Sequence, residues 1–520
     1  MGGWAGYFFA KGYLYFRGVV PFDVILNLAF VVFLILPNPE VLKRSRLAIV
    51  ARSVMSVVIA ALLAWHDSWF PPLPDVVRFV ADGGLPTGNF VVEFLTGILN
   101  PWMVSALVAL IAVTAVAGRY IRLSPLVAVL LLIIGLQQMT KPKEAMDQVV
   151  ASFLSEESKR VVRFPAAGEQ SPVFDVVFLH VCSLSWDDLR EVGETNPDIF
   201  RKFDYLLTNF NSVTAHSTNA VLRLLRSTCG QTAQEALYRN AKHECYLLDA
   251  LRASGYGTWF AMNHTGEYMG LKDYVQEWGH SGTPIGIDDL PIRQYDFDGG
   301  PLRADDAVLE RWLRLREQSG VQRAALYYNT TTLHIGGRRV GDTGESRANR
   351  EQYPESLETM FSDLDRFFSL LVSSARNTVV VFVPEHGAAL RGTKFQPSGL
   401  REIPLASITT VPVGIKLIGP DWFRGGHPDQ QIIDRPTSYL AVTTLLAEFA
   451  DRPTLALNED DVRRMVERIP STDFVAENEG AIVVQDNGRY FMKRHSRGSE
   501  WTELPSEVLA GEPNTQQGKL

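Results

Sequence analysis

The segment 378–387, TVVVFVPEHG, ends an uncharged run of β-branched and aromatic residues with a carboxylate and an imidazole, Glu385 and His386. Such a run predicts a buried strand. Pro384 stops it, so both side chains fall at the strand's carboxyl end, the edge where open α/β sheets bind ligands. A second run, 174–181, ends the same way at Cys182. Thiolate, carboxylate and imidazole together suit zinc, which leaves a position open when catalytic; magnesium and calcium want oxygen instead. An adjacent Glu-His pair also arises by chance, and a buried Cys is more often inert, so the metal reading requires the two strand ends to meet. The candidate nucleophile lies in TAHSTNAVLRLLRSTCGQ, 214–231. Ser217 precedes a helical run, where free N–H groups favour a developing negative charge. The plain alternative is an ordinary N-cap serine. Arg223 and Arg226 follow on the same helix and could reach phosphate oxygens or merely cover its surface.

Strands and helices alternate from residue 171 onward, which predicts an α/β domain with a mostly parallel central sheet and helices on both faces. Strands are expected at 174–181, 258–261, 323–328, 378–384 and 413–418. Helices are expected to start at 186–192, to include 222–225, and to cover 245–254, 305–318, 355–374 and 437–449. Asn487-Gly488 splits a C-terminal hairpin, 481–485 with 489–492.

The 520-residue chain has a formal net charge of −8, which gives nucleic acid no general basic surface to bind. Its mean hydropathy of +0.01 is high for a chain with 21% charged residues. The front third accounts for this, with apolar runs at 22–36, 47–65, 103–117 and 125–139. The second is long enough to span a bilayer; the others sit near the lower limit of ~17 residues. The segment 4–16, interrupted by Lys11, reads as a helix lying in the membrane interface, or as a fifth span. Lys43, Arg44 and Arg46 follow the first run, and Arg119 and Arg122 separate the third from the fourth. Asp67, Asp75, Asp82 and Glu93 face Arg78 alone between the second and third. The positive-inside rule then puts everything after 139 outside, in the periplasm of a Gram-negative cell. The expected division is a multi-pass transmembrane domain over 1–139, a linker helix over 140–169, a catalytic domain over 170–510 and a disordered tail over 511–520. In an oxidising compartment Cys229 and Cys245 could bridge, leaving Cys182 as a free thiol that a zinc ion would occupy.

The blocks VFLHVCSLSWDDL, HSTNAVLRLLRSTCGQ, ALYYNTTTLH, FVPEHGAALRG and REIPLASITTVPVGIKLIG, in this order, resemble the BcsG family of cellulose phosphoethanolamine transferases. The resemblance runs from the aromatic amino-terminal segments to the AENEGAIVVQDNGRYF hairpin. It implies an inner-membrane protein whose periplasmic domain has the alkaline phosphatase/sulfatase-type fold. It implies zinc held by Cys182, Glu385 and His386, with Ser217 attacking phosphorus and completing the coordination. Arg401 and His334 are implied as further active-site residues that bind phosphate or shuttle a proton, and Cys229–Cys245 as the disulfide. The implied partners are phosphatidylethanolamine as donor, cellulose as acceptor and a cellulose synthase complex. The family pattern places Tyr before the serine and Gly-Pro after it; here His216, Thr218 and Asn219 stand instead, which bears on the shape of the pocket. Competing readings are transfer to lipid A or another envelope glycan, a membrane phosphodiesterase or sulfatase, and a non-catalytic accessory of the synthase. The sulfatase branch is disfavoured because Ser217-Thr-Asn-Ala-Val does not fit its C/S-x-P-x-R setting.

Overall fold

The computed structural model of the chain describes residues 4–17, 20–36, 46–68, 73, 77, 101–139, 144–166, 168, 171–341, 349–393, 395–423, 427–495 and 500–505. Lys43, Arg44, Asp75, Asp82, Glu93 and the tail 511–520 lie outside them. The chain divides into two compact units: residues 1–78, 92–143 and 392–397, and residues 79–91, 144–391 and 398–520.

The first unit holds the helices Ala5–Phe16, Val24–Ile35, Arg46–His66, Pro101–Ala117 and Ser124–Met139. Among the described residues only Arg46–His66, with 21 residues and mean hydropathy 2.3, is long and apolar enough to cross a membrane. The other three expected spans come out as helices of 12, 17 and 16 residues. At ~1.5 Å per residue a 12-residue helix rises about 18 Å, against a hydrocarbon core of ~30 Å. The shortfall has a local cause at the first of them, where Asp23 caps the helix by accepting from Leu26 N, so the apolar residue before it stays outside the helical backbone.

The amino-terminal helix packs into this unit. Ala5 and Phe8 are fully buried and Lys11 nearly so. The Lys11 ammonium lies 2.7 Å from the Asp67 carboxylate and donates to Asn27 Oδ1 and Leu63 O, each at 3.0 Å. Asn27 Nδ2 donates to the same Asp67 oxygen at 2.8 Å. A charge in an apolar bundle is tolerated when paired and hydrogen-bonded in this way.

The second unit is built on a seven-stranded sheet. Its strands are β1 (Asp175–Val181), β2 (Tyr205–Asn211), β3 (Tyr256–Met262), β4 (Arg323–Thr330), β5 (Thr378–Pro384), β6 (Thr410–Ile418) and β7 (Gln431–Ile433). They lie in the order β7-β2-β6-β5-β1-β4-β3, and only β6 runs against its neighbours. Alternate side chains of β1 feed two cores. Val176 and Phe178 meet the helices Ser217–Leu225, Leu247–Ala253 and Tyr439–Ala450, whereas Val177, Leu179 and Val181 meet Asp305–Gln318 and Asn349–Ser373. Burial on both faces is what makes these strands uniformly apolar. The expected α/β architecture therefore holds. The strands β2 and β7 are additions to the expected set.

The C-terminal hairpin forms as predicted, Ala481–Asp486 against Arg489–Arg494. Its turn places Asn487 and Gly488 at φ +49° and +75°, the left-handed pair a two-residue hairpin demands. The linker region contains the helix Glu144–Glu157, and Cys229 and Cys245 are disulfide-bonded.

At the amino end of the sheet, Asp175 is a buried anchor. Its carboxylate accepts from Arg316 Nε and Nη2 at 2.7 and 3.0 Å, from Arg376 Nε at 3.0 Å and from Ala324 N at 2.8 Å. Arg316 is itself only 3% exposed. Removing the carboxylate would leave a buried guanidinium unpaired, at a cost of roughly 3–5 kcal/mol. Asp175→Ala is therefore expected to lower the urea midpoint of unfolding of the outer unit strongly. A midpoint within error of wild type contradicts the anchoring role.

Candidate active site

Parallel pairing sets the site's geometry. Val181 of β1 lies opposite Pro384 of β5 and Thr330 of β4, so the residues that follow emerge side by side at one sheet edge. Backbone bonds continue the match past the strand ends. Glu385 N donates to Val181 O at 2.8 Å, Cys182 N to Thr330 O at 2.9 Å and Leu184 N to His386 O at 2.7 Å. Ligating atoms of Cys182, Glu385 and His386 all lie within 4.8 Å of one another, and all three residues are fully buried. Ser217 is the first residue of the helix Ser217–Leu225, and its Oγ lies 3.4 Å from Cys182 Sγ and 3.2 Å from His386 Nε2.

The electrostatics of this cluster call for a cation. Burial, and then the Glu385 carboxylate, push the Cys182 thiol up to about 12. Burial raises Glu385 as well, and its Oε2 has no hydrogen-bond partner. Burial, with the Arg401 guanidinium second, holds His386 well below its ordinary value, so the ring is neutral. His386 Nδ1 lies 3.0 Å from Gly387 O, which can only accept. Arg401 Nη1, which can only donate, lies 3.1 Å from the same nitrogen, so these contacts fix no tautomer; Nε2 is the ring nitrogen that faces Cys182 and Ser217. A thiol, a carboxylate oxygen without a donor and an imidazole nitrogen, buried together, fit a metal ion with sulfur, oxygen and nitrogen ligands.

A second layer of residues orients the first. Asn329 Nδ2 donates to Glu385 Oε1 at 2.5 Å, and its Oδ1 lies 2.8 Å from His264 Nε2. His180 sits beneath, with Nδ1 3.0 Å from the Tyr327 hydroxyl and 3.9 Å from Glu385 Oε1; burial lowers it to about 3, so it is neutral. Asp188 closes the capping box of the helix Trp186–Glu191 and also accepts from Ala388 N at 2.7 Å and Leu390 N at 3.0 Å. One carboxylate thus ties the segment after Cys182 to the segment after His386. Only glycine fits at 387, since a Cβ there would come within 2.5 Å of Ser185 Oγ. Sequence reasoning missed this layer. The available signal was polar residues at the ends of apolar strands: His180 inside β1, Asn329 in β4 and His264 just after β3.

Arg401 reaches the cluster, and His334 lies behind Arg401. Arg401 Nη1 lies 3.1 Å from His386 Nδ1 and donates to Ser183 Oγ at 3.2 Å; Nη2 is 3.5 Å from His334 Nε2. His334 Nδ1 lies 3.1 Å from Asp296 Oδ1. Arg223 and Arg226 do not. Arg223 donates to Thr232 O and Gln234 Oε1, and Arg226 to Trp278 O and Ala236 O. At ~100° per residue they lie about 120° and 180° round the helix from Ser217, so they brace neighbouring loops instead of facing the serine's partners. His216 is held by Glu479, with Nδ1 2.8 Å from Oε2. Burial opposes its charge, but the Glu479 pairing outweighs burial and raises its pKa. Asn219 donates to the same carboxylate at 2.9 Å. Two of the three positions that depart from the family pattern, His216 and Asn219, thus share one partner.

A family profile described as the cellulose biosynthesis protein BcsG N-terminal domain matches residues 4–136, and that of the BcsG C-terminal domain matches residues 135–501. The cellulose biosynthesis protein BcsG of Escherichia coli (strain K12) is 31% identical over 97% of this chain and 96% of its own length. That of Salmonella typhimurium (strain LT2) is 30% identical over the same shares. Among solved structures, a protein in the alkaline phosphatase superfamily from Vibrio parahaemolyticus is similar at a TM-score of 0.46 and 13% identity, covering 69% of this chain and 91% of that one. The C-terminal periplasmic domain of EcEptC from Escherichia coli follows at 0.43 and 13%, covering 63% and 96%.

If Asn329 orients Glu385 for a metal, Asn329→Ala should weaken divalent-metal affinity by about 10- to 100-fold with the fold intact. Competition against a chromophoric chelator measures this, and an unchanged affinity removes Asn329 from that role.

Proposed function

The chain belongs to the family of the cellulose biosynthesis protein BcsG, and on that premise we propose that it is a zinc-dependent phosphoethanolamine transferase. The donor is phosphatidylethanolamine and the acceptor a hydroxyl of cellulose. The observation that carries this reading is the convergence of Ser217 Oγ on Cys182 Sγ and His386 Nε2, at 3.4 and 3.2 Å, at the amino terminus of a helix. Zinc held by Cys182, Glu385 and His386, with Ser217 completing the set, would lower the pKa of the serine hydroxyl and polarise a phosphoryl oxygen.

In the first step the Ser217 Oγ–phosphorus bond forms and the phosphorus–oxygen bond to glycerol breaks. Diacylglycerol leaves with the proton, and phosphoethanolamine stays on the serine. In the second step a glucan hydroxyl oxygen bonds to phosphorus, the bond to Ser217 breaks and the proton returns to the serine. The free N–H groups at the start of Ser217–Leu225 and the Arg401 guanidinium stabilise charge on the phosphoryl oxygens in both steps. His334, 3.5 Å from Arg401 and 3.1 Å from Asp296, takes and returns the proton in this scheme. Arg223 and Arg226 have no part in it.

The helix Arg46–His66, long and apolar enough to cross a membrane, supports a setting in the bacterial inner membrane, with the catalytic unit in the periplasm beside its lipid donor and an extruded polymer. The disulfide Cys229–Cys245 agrees with an oxidising compartment. Association with a cellulose synthase complex follows from the acceptor.

Ser217→Ala should abolish phosphoethanolamine on the secreted polymer while synthase levels stay unchanged, read by solid-state NMR of the polysaccharide. Modification that persists in this variant refutes the serine as nucleophile. Cys182→Ala should reduce the zinc content of the purified chain well below that of wild type. An unchanged stoichiometry refutes the thiolate ligand.

A further inference from the structure

The segment that leads to Ser217 is strained, and what holds it comes from the far end of the chain. Val213 has φ +71°, a left-handed backbone that a β-branched residue keeps only where its surroundings over-determine it. Its N–H donates to Asn211 Oδ1 at 2.8 Å, and its carbonyl accepts from Glu477 N at 2.7 Å. Asn478 continues the grip. Its Oδ1 accepts from the Thr214 hydroxyl at 2.7 Å and from Ala215 N at 2.9 Å. The Thr214 oxygen accepts in turn from the N–H of His216, the residue before Ser217, at 3.4 Å. Asn478 lies in the turn between the strands Val475–Glu477 and Ala481–Asp486, 263 residues beyond Ala215.

The other end of the same amide holds the segment that carries Arg401. Asn478 Nδ2 donates to Arg401 O at 2.9 Å and to Glu402 O at 3.4 Å. This bonding fixes the amide's orientation, because the Ala215 N–H can only donate and the two carbonyls can only accept. The side chain is fully buried, so it has no water to turn to when one partner moves. The two segments it joins deliver the two groups that a phosphoryl transfer must align. One is the Ser217 oxygen, two residues past Ala215. The other is the Arg401 guanidinium, whose Nη1 lies 3.1 Å from His386 Nδ1. A misplacement of about 1 Å between such groups slows a reaction by about 100-fold. The bonds Asn478 makes go to backbone groups and the Thr214 hydroxyl, and none goes to a metal-ligating side chain.

On the transfer reaction proposed above, we infer that Asn478 is a positioning residue that sets the separation between the Ser217 oxygen and the Arg401 guanidinium. The full chain is reconstituted in vesicles containing phosphatidylethanolamine, and mass spectrometry follows loading of Ser217. Asn478→Ala should load about 10- to 100-fold more slowly with its zinc content unchanged. In an Arg401→Ala background the same substitution should change the rate less than about twofold, because the group it places is gone. Asn478→Asp keeps an acceptor for Thr214 and Ala215 but turns an oxygen toward the two carbonyls. It should repeat this pattern, and it carries the cycle if the alanine variant does not fold. Equal losses in both backgrounds make Asn478 a general brace and overturn the inference, as does wild-type loading in Asn478→Ala. A fall in zinc content overturns it too, by placing the effect at the metal. Calorimetric titration of Ser217→Ala with inorganic phosphate reads the same arrangement without turnover. Adding Asn478→Ala should weaken that binding about tenfold, and should not do so when Arg401 is already alanine. Equal affinities, absence of binding included, overturn the inference. A wild-type chain that never loads Ser217 refutes the transfer reaction instead, and the titration still decides the role of Asn478.

Discussion

Parallel strand pairing has a side-chain period of two, so a register fixes which residues stand together when the strands end. Here Asp175–Val181 lies between Arg323–Thr330 and Thr378–Pro384, with Val181 level with both Thr330 and Pro384. Cys182 and the Glu385-His386 pair therefore leave the sheet at the same level. A slip of one residue would turn one partner to the opposite face. Two features hold the register against that slip. At the amino end, Asp175 joins Arg316, Arg376 and Ala324; along the strands, apolar side chains are buried on both faces, where a slip would misplace every one of them.

What the register assembles is a group of side chains that resist ionisation where they stand. Burial raises Cys182 and Glu385 and lowers His386 and His180. A low-dielectric pocket of this kind favours neutral groups; a bound cation reverses that preference, which is why the donor set and its electrostatics point the same way. Strain is stored close by. Ser183, directly after Cys182, has φ +64°, and the Tyr353 hydroxyl donates to its carbonyl at 2.6 Å. Such a residue persists because its surroundings over-determine it.

Much of the fold is legible along the chain, and the failures have physical causes. The doubly buried strands announce themselves as uncharged β-branched runs, and Asn487-Gly488 announces its own turn. Tyr205–Asn211 does not, because its sequence YLLTNFN mixes polar residues into the run and its pairing with Thr410–Ile418 shifts register between Leu207 and Phe210, which breaks the alternation. Lys11 looks like an interruption because its partner Asp67 is 56 residues away, and no local pattern reveals the pair. Arg223 and Arg226 look like substrate ligands because they share a helix with Ser217. The helix's own rotation carries them off that face.

By itself the sequence determined the chemistry on offer: a thiol, a carboxylate and an imidazole placed at the ends of buried strands, a serine at the start of a helix, and a greasy front third. Residue type and local periodicity carry those facts, and both are properties of short segments. Only the tertiary structure decided that Cys182, Ser217, Glu385 and His386 share one buried space, that Arg401 and His334 join them, and that Asn329, His180, His264 and Asp188 stand behind them. These choices depend on strand order, register and crossover, which join segments far apart in the chain, Cys182 and His386 being 204 residues apart. The strand ending in Glu385-His386 carries half of a ligand set in its own residues, and the sheet supplies the other half.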